Sequence, residues 1–492
     1  MRKSFLIFFL GLILLSFDAK SQPITFQRTY GGNSYDNGFG VIEATKGYFI
    51  FGNTSSFGAG NTDVIMIKTD SIGNPEWFRT FGSQYVENGT EVIRTLRGTM
   101  MVCGYTNNTL NFDYNGYLIE IDTLGNLLNE SIQGGVSWDF AYSMIQAYDS
   151  SLYVAGETFS FGNAMNNAML MKINPNTLDT VWMHAYGGDS VDVFRDIMFV
   201  DYDSTLLLTG ETNSYDTLRK DLFVLKTSMQ GDSLWMKRYA DTLDDGAFCI
   251  VKAMGKDFFV GGYSVSSIDN KEDEYGFLCD SAGNIHWGVN FHATDRDWIQ
   301  SCVQTPDTVL TYIKYTESTG LGQGDVGFIF YHNLGFYTGG KSFGGTEKDE
   351  GQSLIQTTDN GFAIVGSTQS FGNTLPAIYF IKTDSVRNAP LTPINITLNA
   401  IQENTSFDFR LNVYPVPANS ILNVSGRIPQ NEKNTTFVIQ DLSGRVVNSE
   451  SFTLINSTFT QDLDLNNISS GTYLLSVLSG VYSERRLIVI QK

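Results

Sequence analysis

One acidic position recurs along this chain: Asp36, Glu87, Asp139, Asp192, Asp245, Asp297 and Asp349, spaced 51 to 53 residues apart. Oxygen donors gathered at one rim are the chemistry that holds a hard cation such as Ca²⁺. An Asp at a turn has a second use, which is to accept backbone N–H groups and set the start of a strand. Recurrence in every copy favours that structural role, because a site is usually built by a few repeats and a fold by all of them. Ca²⁺ is the one cofactor the ring of acids would suit; none is otherwise predicted.

Other reactive side chains give weaker signals. The histidines His184, His286, His292 and His332 have neither H-x-H nor H-E-x-x-H spacing. There is no G-x-S-x-G nucleophile motif and no phosphate-cradling loop. A carboxylate pair for glycoside cleavage would be hidden among 52 acidic residues, so no catalytic residue is assigned. The cysteines Cys103, Cys249, Cys279 and Cys302 match no metal spacing. Two disulfides in any of three pairings are open to them in an exported chain, but apolar repeat positions at Cys103 and Cys302 favour core thiols.

The element that must position these residues is a repeat of about 52 residues. Copies begin at Tyr30, Phe81, Gln133, Tyr186, Tyr239, Phe291 and Phe343. An apolar residue follows in each, as Val41, Val92, Met144, Ile197, Ile250, Cys302 and Leu354. A glycine ends the second apolar run as Gly52, Gly104, Gly156, Gly210, Gly262 and Gly366, with Lys314 in its place in the sixth copy. Period-2 alternation with Gly, Asn, Asp and Ser punctuation predicts four strands per copy, in the first at 39–45, 48–53, 64–69 and 76–81. Four short strands at an even period predict an all-β chain with a seven-bladed β-propeller. Trp77, Trp182, Trp235 and Trp287 lie four residues before the next anchor, in register, which assigns them to blade packing before any sugar stacking. The seventh copy lacks its fourth strand, while Phe26 precedes Tyr30 by the same four residues. The N-terminal segment is therefore expected to complete the last blade and hide two open sheet edges.

The ends of the chain read differently. Arg2 and Lys3, the apolar run 5–15 and Ala19-Lys20-Ser21 predict a signal peptide over 1–21, cut between Ser21 and Gln22. The propeller fills 22–386, a stretch without repeat elements at 387–405 reads as a linker, and 406–492 form a second domain. Residues 22–405 carry a net charge of −22, against zero for 406–492. That excess of acid excludes a phosphate-binding role on nucleic acid and docking on an anionic membrane. The last domain alternates strand and turn at 411–414, 421–425, 436–440, 445–449, 472–478 and 486–490, the pattern of a small β-sandwich.

Its motifs are "NVYPVPANSILNVSG" (412–426), "VIQDLSGRVV" (438–447), "ISSGTYLLSV" (468–477) and the terminal "RRLIVIQK". In that order they resemble the type A C-terminal sorting domain of the type IX secretion system of Bacteroidota. The resemblance singles out Tyr414, Pro415, Pro417, Gly444, Gly471 and Tyr473. Pro415–Pro417 is expected to stiffen the approach to the first strand, and Gly471 to permit a turn before Tyr473. The resemblance implies passage through the type IX translocon, cleavage by its sortase-like peptidase, attachment to lipopolysaccharide, and a cell-surface or extracellular location. The repeats are similar, more loosely, to glycine-rich propellers joined to such domains. Asp-Ser/Thr-apolar triplets such as Asp70-Ser71-Ile72 and Asp122-Thr123-Leu124 resemble Bacteroidota O-glycosylation acceptors and are equally ordinary turn chemistry.

These observations predict a binding or scaffold protein for a glycan or protein ligand rather than an enzyme. The alternatives are a secreted propeller enzyme acting on polysaccharide and a structural surface-layer component. The loops joining second and third strands vary most, and variable loops on a rigid frame are where recognition tends to lie.

Overall fold

A computed structural model of the chain describes residues 23–108, 113–162, 165–215, 219–239, 243–372, 375–398, 411–427, 434–441, 446–453, 458–479 and 482–492. The expected signal peptide with its Ser21–Gln22 cleavage site, residues 399–405 of the expected linker, and Gly444 lie outside them. Among the described residues there are nine sheets, seven of them between Phe26 and Thr397.

The first of the seven joins Asp36–Glu43, Tyr48–Thr54, Asp63–Thr69 and Pro75–Phe81 as antiparallel neighbours in chain order. The second and third strands are buried along their whole length apart from Lys68, which is why their sequences run apolar without strict alternation. The fourth strand keeps a half-exposed pattern because it forms the outer edge. The next six sheets repeat this plan, with innermost strands Glu87–Arg94, Asp139–Gln146, Asp192–Val200, Asp245–Lys252, Asp297–Gln304 and Asp349–Gln356. Each of the seven recurring acids is thus the first residue of an innermost strand.

Each innermost strand packs against the next, and the last packs against the first, so the sheets surround an axis as in a β-propeller. Every innermost strand also carries a β-bulge three residues after its acid, for example between Gly38 and Gly40. The bulge explains the recurring glycine of the second strand. A Cβ at Gly104 or Gly156 would stand 1.8 Å from the carbonyl oxygen of Asn88 or Phe140 on the bulged strand.

The seventh sheet closes with the N-terminus. Phe26–Gly31 pairs antiparallel with Ala377–Thr383, Phe26 opposite Lys382 and Tyr30 opposite Ile378. Phe26 packs edge-on against Phe380 at 5.2 Å between ring centroids. The segment read as a linker is more structured than expected. Ile394–Thr397 adds a fifth strand parallel to Phe26–Gly31, and Leu398 is fully buried beside it. The alternation Ile394-Asn395-Ile396-Thr397-Leu398 is the period of a strand, and it was passed over because it carries no element of the repeat.

The C-terminal region has a three-stranded sheet of Asn412–Tyr414, Ile421–Arg427 and Thr458–Asp464, and a four-stranded sheet of Val446–Thr453, Asn434–Asp441, Gly471–Ser479 and Tyr482–Ile490 in spatial order. Leu422, Val424 and Leu463 from the first share one core with Phe437, Leu475 and Ile488 from the second. Two expectations are corrected here. Gly471 opens a strand rather than a turn, and a Cβ there would sit 3.2 Å from the Tyr473 ring, so its small size makes room for that ring. The Pro415–Pro417 element follows the first strand and leads to Ala418, which bonds with Val489 and Gln491 at the final strand.

Candidate functional site: the propeller axis

The seven acids are all buried, but they are not gathered into one cluster. Most serve their own sheet. Asp139 accepts from the Gly135 N–H at 2.7 Å, from the Ser160 hydroxyl at 2.7 Å and from the Thr158 hydroxyl. Asp36 makes the same set with Gly32, Ser56 and Thr54. Asp192 repeats it with Gly188, Ser214 and Thr212. Glu87 takes Ser83 N–H at 2.8 Å and the Thr106 hydroxyl at 3.0 Å. Asp349 takes Gly345 N–H and the Ser370 hydroxyl. The carboxylate therefore ties the turn before the first strand to the end of the second. Asp245 opens its strand in the same buried place. Asp297 differs: Lys314, standing where the glycine recurs, brings its ammonium within 3.3 Å and also reaches Glu274 at 2.8 Å. Among the described residues no three His, Cys, Asp or Glu side chains come together as a metal-holding group.

A second set of residues lies one step deeper, four positions after each acid, just past the bulge. It reads Gly40, Glu91, Ser143, Asp196, Cys249, Ser301 and Ser353. All but Ser143 line an axial cavity of about 260 Å³, together with Val41, Val92, Ile197, Ile250, Cys302 and Leu354. Here two carboxylates break the repeat. Glu91 accepts from Met144 N–H at 2.6 Å, and Asp196 accepts from Ile250 N–H at 2.7 Å and from the Ser143 hydroxyl at 2.7 Å. Burial pushes Glu91 up to about 8, with the Asp196 charge adding to the shift. Burial also raises Asp196, to about 6, while its hydrogen bonds from Ile250, Ser143 and Ile197 restrain the rise. Both carboxyls thus hold a proton more readily than ordinary acids, and because they interact that proton belongs to the pair. Sequence reading missed this pair; aligning the copies at the fourth residue after the acid would have exposed it.

The remaining candidates are dispersed. His292 pairs with Asp273 at 2.7 Å, His286 with Asp257 at 3.3 Å, and His184 lies edge-on to Trp182. The four cysteines are free thiols; Cys103, Cys249 and Cys279 are buried, and Cys302 faces the cavity beside Cys249. Trp77, Trp182, Trp235 and Trp287 each pack against a second-strand ring, Phe49, Tyr153, Phe258 and Phe259 respectively. Their role is packing. The Asp of several Asp-Ser/Thr triplets caps a turn, as Asp70 does for Ile72 and Asn74, and Asp122 for Leu124 and Asn126. Of the sorting motif residues, Tyr473 is buried and donates to the Ser469 carbonyl at 3.0 Å, while Tyr414 is half exposed.

Comparison with known proteins follows the same division. Residues 412–491 match the family described as a secretion system C-terminal sorting domain. The chain carries the sorting tail of type IX secretion, which implies handling by that system, export, and a cell-surface or secreted location. The rest is a β-propeller. Among solved structures, the chain is similar to PorZ, a bacterial surface component of the type IX secretion system of Porphyromonas gingivalis, at 11% identity and TM-score 0.43, covering 94% of this chain and 60% of that one. It is also similar to a protein of unknown function from Bacteroides caccae (11%, TM-score 0.37, 63% of this chain and 94% of that one). A third is the β-propeller domain of the Trilobed protease from Pyrococcus furiosus (6%, TM-score 0.39, 74% and 95%). No curated protein matches the chain in sequence.

Proposed function

We propose that this is a seven-bladed β-propeller binding module, carried to the cell surface by a C-terminal β-sandwich that the type IX sortase-like peptidase removes before attachment to lipopolysaccharide. The cyclic contacts of the seven innermost strands support the blade count, and the shared core of the two terminal sheets supports the sandwich. One observation carries the binding reading. The acid that opens each innermost strand is kept in all copies, whereas the residue after it differs in almost every one, as Asn37, Asn88, Phe140, Val193, Gly246, Trp298 and Glu350, and is partly or fully exposed in all but Val193 and Gly246. A frame held constant beneath a varied rim is the build of a recognition surface.

A second reading rests on Glu91 and Asp196. A protonated carboxyl beside an ionised one in a cavity is the pairing that acid–base hydrolysis needs. The test is a glycan-array assay on the secreted protein with Ca²⁺ and again with chelator, paired with a polysaccharide hydrolysis assay. Selective binding without turnover, unchanged by chelator, is expected. Chelator-sensitive binding returns the acidic ring to Ca²⁺. Turnover lost in Glu91→Gln establishes the enzyme. Self-association without any ligand points to a surface-layer component.

A further inference from the structure

The innermost strands of neighbouring sheets keep one register around the axis. The fourth residue after the acid of one sheet meets the fifth residue after the acid of the next. Glu91 of the second sheet reaches Met144 N–H of the third at 2.6 Å, and Asp196 of the fourth reaches Ile250 N–H of the fifth at 2.7 Å. Between the first and second sheets the same positions are Gly40 and Val92. A Cβ built on Gly40 would lie 3.5 Å from the Cβ of Val92. Between the fifth and sixth sheets the two positions are Cys249 and Cys302, and no other junction has a thiol on both sides. Both strands carry the bulge at its usual place, after Ala247 and after Ile299, so the register holds here too.

That spacing is the one a disulfide requires, since bonded cysteines hold their Cβ atoms about 3.5–4.5 Å apart. Cys249 and Cys302 line the same axial cavity. Burial pushes the Cys302 thiol well above its usual range, and the Cys249 thiol beside it adds to the shift. The other two cysteines are placed apart. Cys103 lies 3.6 Å from the Thr90 hydroxyl of the second sheet, and Cys279 donates to the Tyr239 hydroxyl at 3.8 Å. We propose that in the exported chain Cys249 and Cys302 are joined by a disulfide that ties the fifth sheet to the sixth at the axis, while Cys103 and Cys279 stay thiols. The sorting tail implies export, and disulfides form and persist outside the cytoplasm. The oxidant is a protein or small-molecule disulfide. One cysteine thiolate attacks it to give a mixed disulfide, and the second displaces that sulfur. Two protons pass to water, and the oxidant leaves reduced to thiols. A thiol held above its usual range supplies little thiolate, so the exchange belongs to folding, before the sixth sheet docks on the fifth. The bond closes a loop one repeat long and so restrains the unfolded chain. It also stands in the wall of the cavity that holds Glu91 and Asp196.

The test is thiol mapping of the secreted protein, unfolded in urea with an alkylating maleimide present and read by mass spectrometry, with and without prior reduction. Cys103 and Cys279 should take the label at once. Cys249 and Cys302 should take it only after reduction, and otherwise appear as one cross-linked pair of peptides. Cys302→Ser should release Cys249 to full labelling, while Cys279→Ser leaves the cross-link intact. Labelling of all the cysteines without reductant overturns the disulfide. A cross-link that contains Cys103 or Cys279 overturns the pairing.

Discussion

Two sets of carboxylates stand four residues apart on the same innermost strands, and they behave in opposite ways. Asp139 and its counterparts are buried, recur in every copy, and mostly give their oxygens to donors of their own sheet. Glu91 and Asp196 appear once each, face a shared cavity, and reach across to the backbone of the neighbouring sheet. Both sets are acids in a low-dielectric interior, so residue type does not separate them. Repetition does. A residue needed by every sheet belongs to the frame, and one that breaks the repeat is free to serve something the frame does not need.

The comparison predicts a ranking of damage. The largest effect belongs to the repeat's own closure. Deleting residues 22–31 strips Ala377–Thr383 and Ile394–Thr397 of the strand between them, opening two edges to other chains. The melting temperature should fall by more than about 10 °C, with aggregation; an unchanged calorimetric transition would break the view that the ring depends on this strand. Next is Asp139→Ala, which leaves the Gly135 N–H and the hydroxyls of Thr158 and Ser160 without their acceptor in a buried site. A loss of about 3 kcal/mol in urea unfolding is expected, with Asp139→Asn losing less. If Glu91→Ala costs as much as Asp139→Ala, the division between frame and cavity fails.

What could be read in the sequence follows the same line. The four-strand period, the acids at the strand starts and the closing strand at Phe26 were legible, because seven copies of one pattern make each position plain. The bulge was not, since it is a matter of register, and with it went the post-bulge residues that line the axis. Lys314 in place of the recurring glycine was visible, but its pairing with Asp297 needed coordinates. In the sorting domain the strand Thr458–Asp464 was missed because only Phe459 and Leu463 face the core, and a mostly polar run gives little period.

The smallest and most discriminating effect is the pH dependence of the axial pair. Glu91 binds its proton more tightly in the folded chain, at about 8, than in the unfolded chain, near the ordinary ~4.3 of a glutamate. Between those values the native state holds more protons than the unfolded one, so stability falls as pH rises and levels off above the folded value. Asp196 adds a weaker fall in the same direction up to about 6. Glu91→Gln keeps the acceptor for Met144 N–H and removes the titration. It should therefore match the parent near pH 5 and exceed it near pH 9, by on the order of 1–2 kcal/mol once the cavity's water is allowed for. Asp139→Asn should instead lie below the parent, because it disturbs an acceptor that the Gly135 N–H and the Ser160 and Thr158 hydroxyls share. Parallel pH profiles for the two variants would mean that the axial carboxylates are frame after all. A crossover confined to Glu91→Gln would mean that the axis carries a buried proton the fold does not require, available to whatever enters the channel.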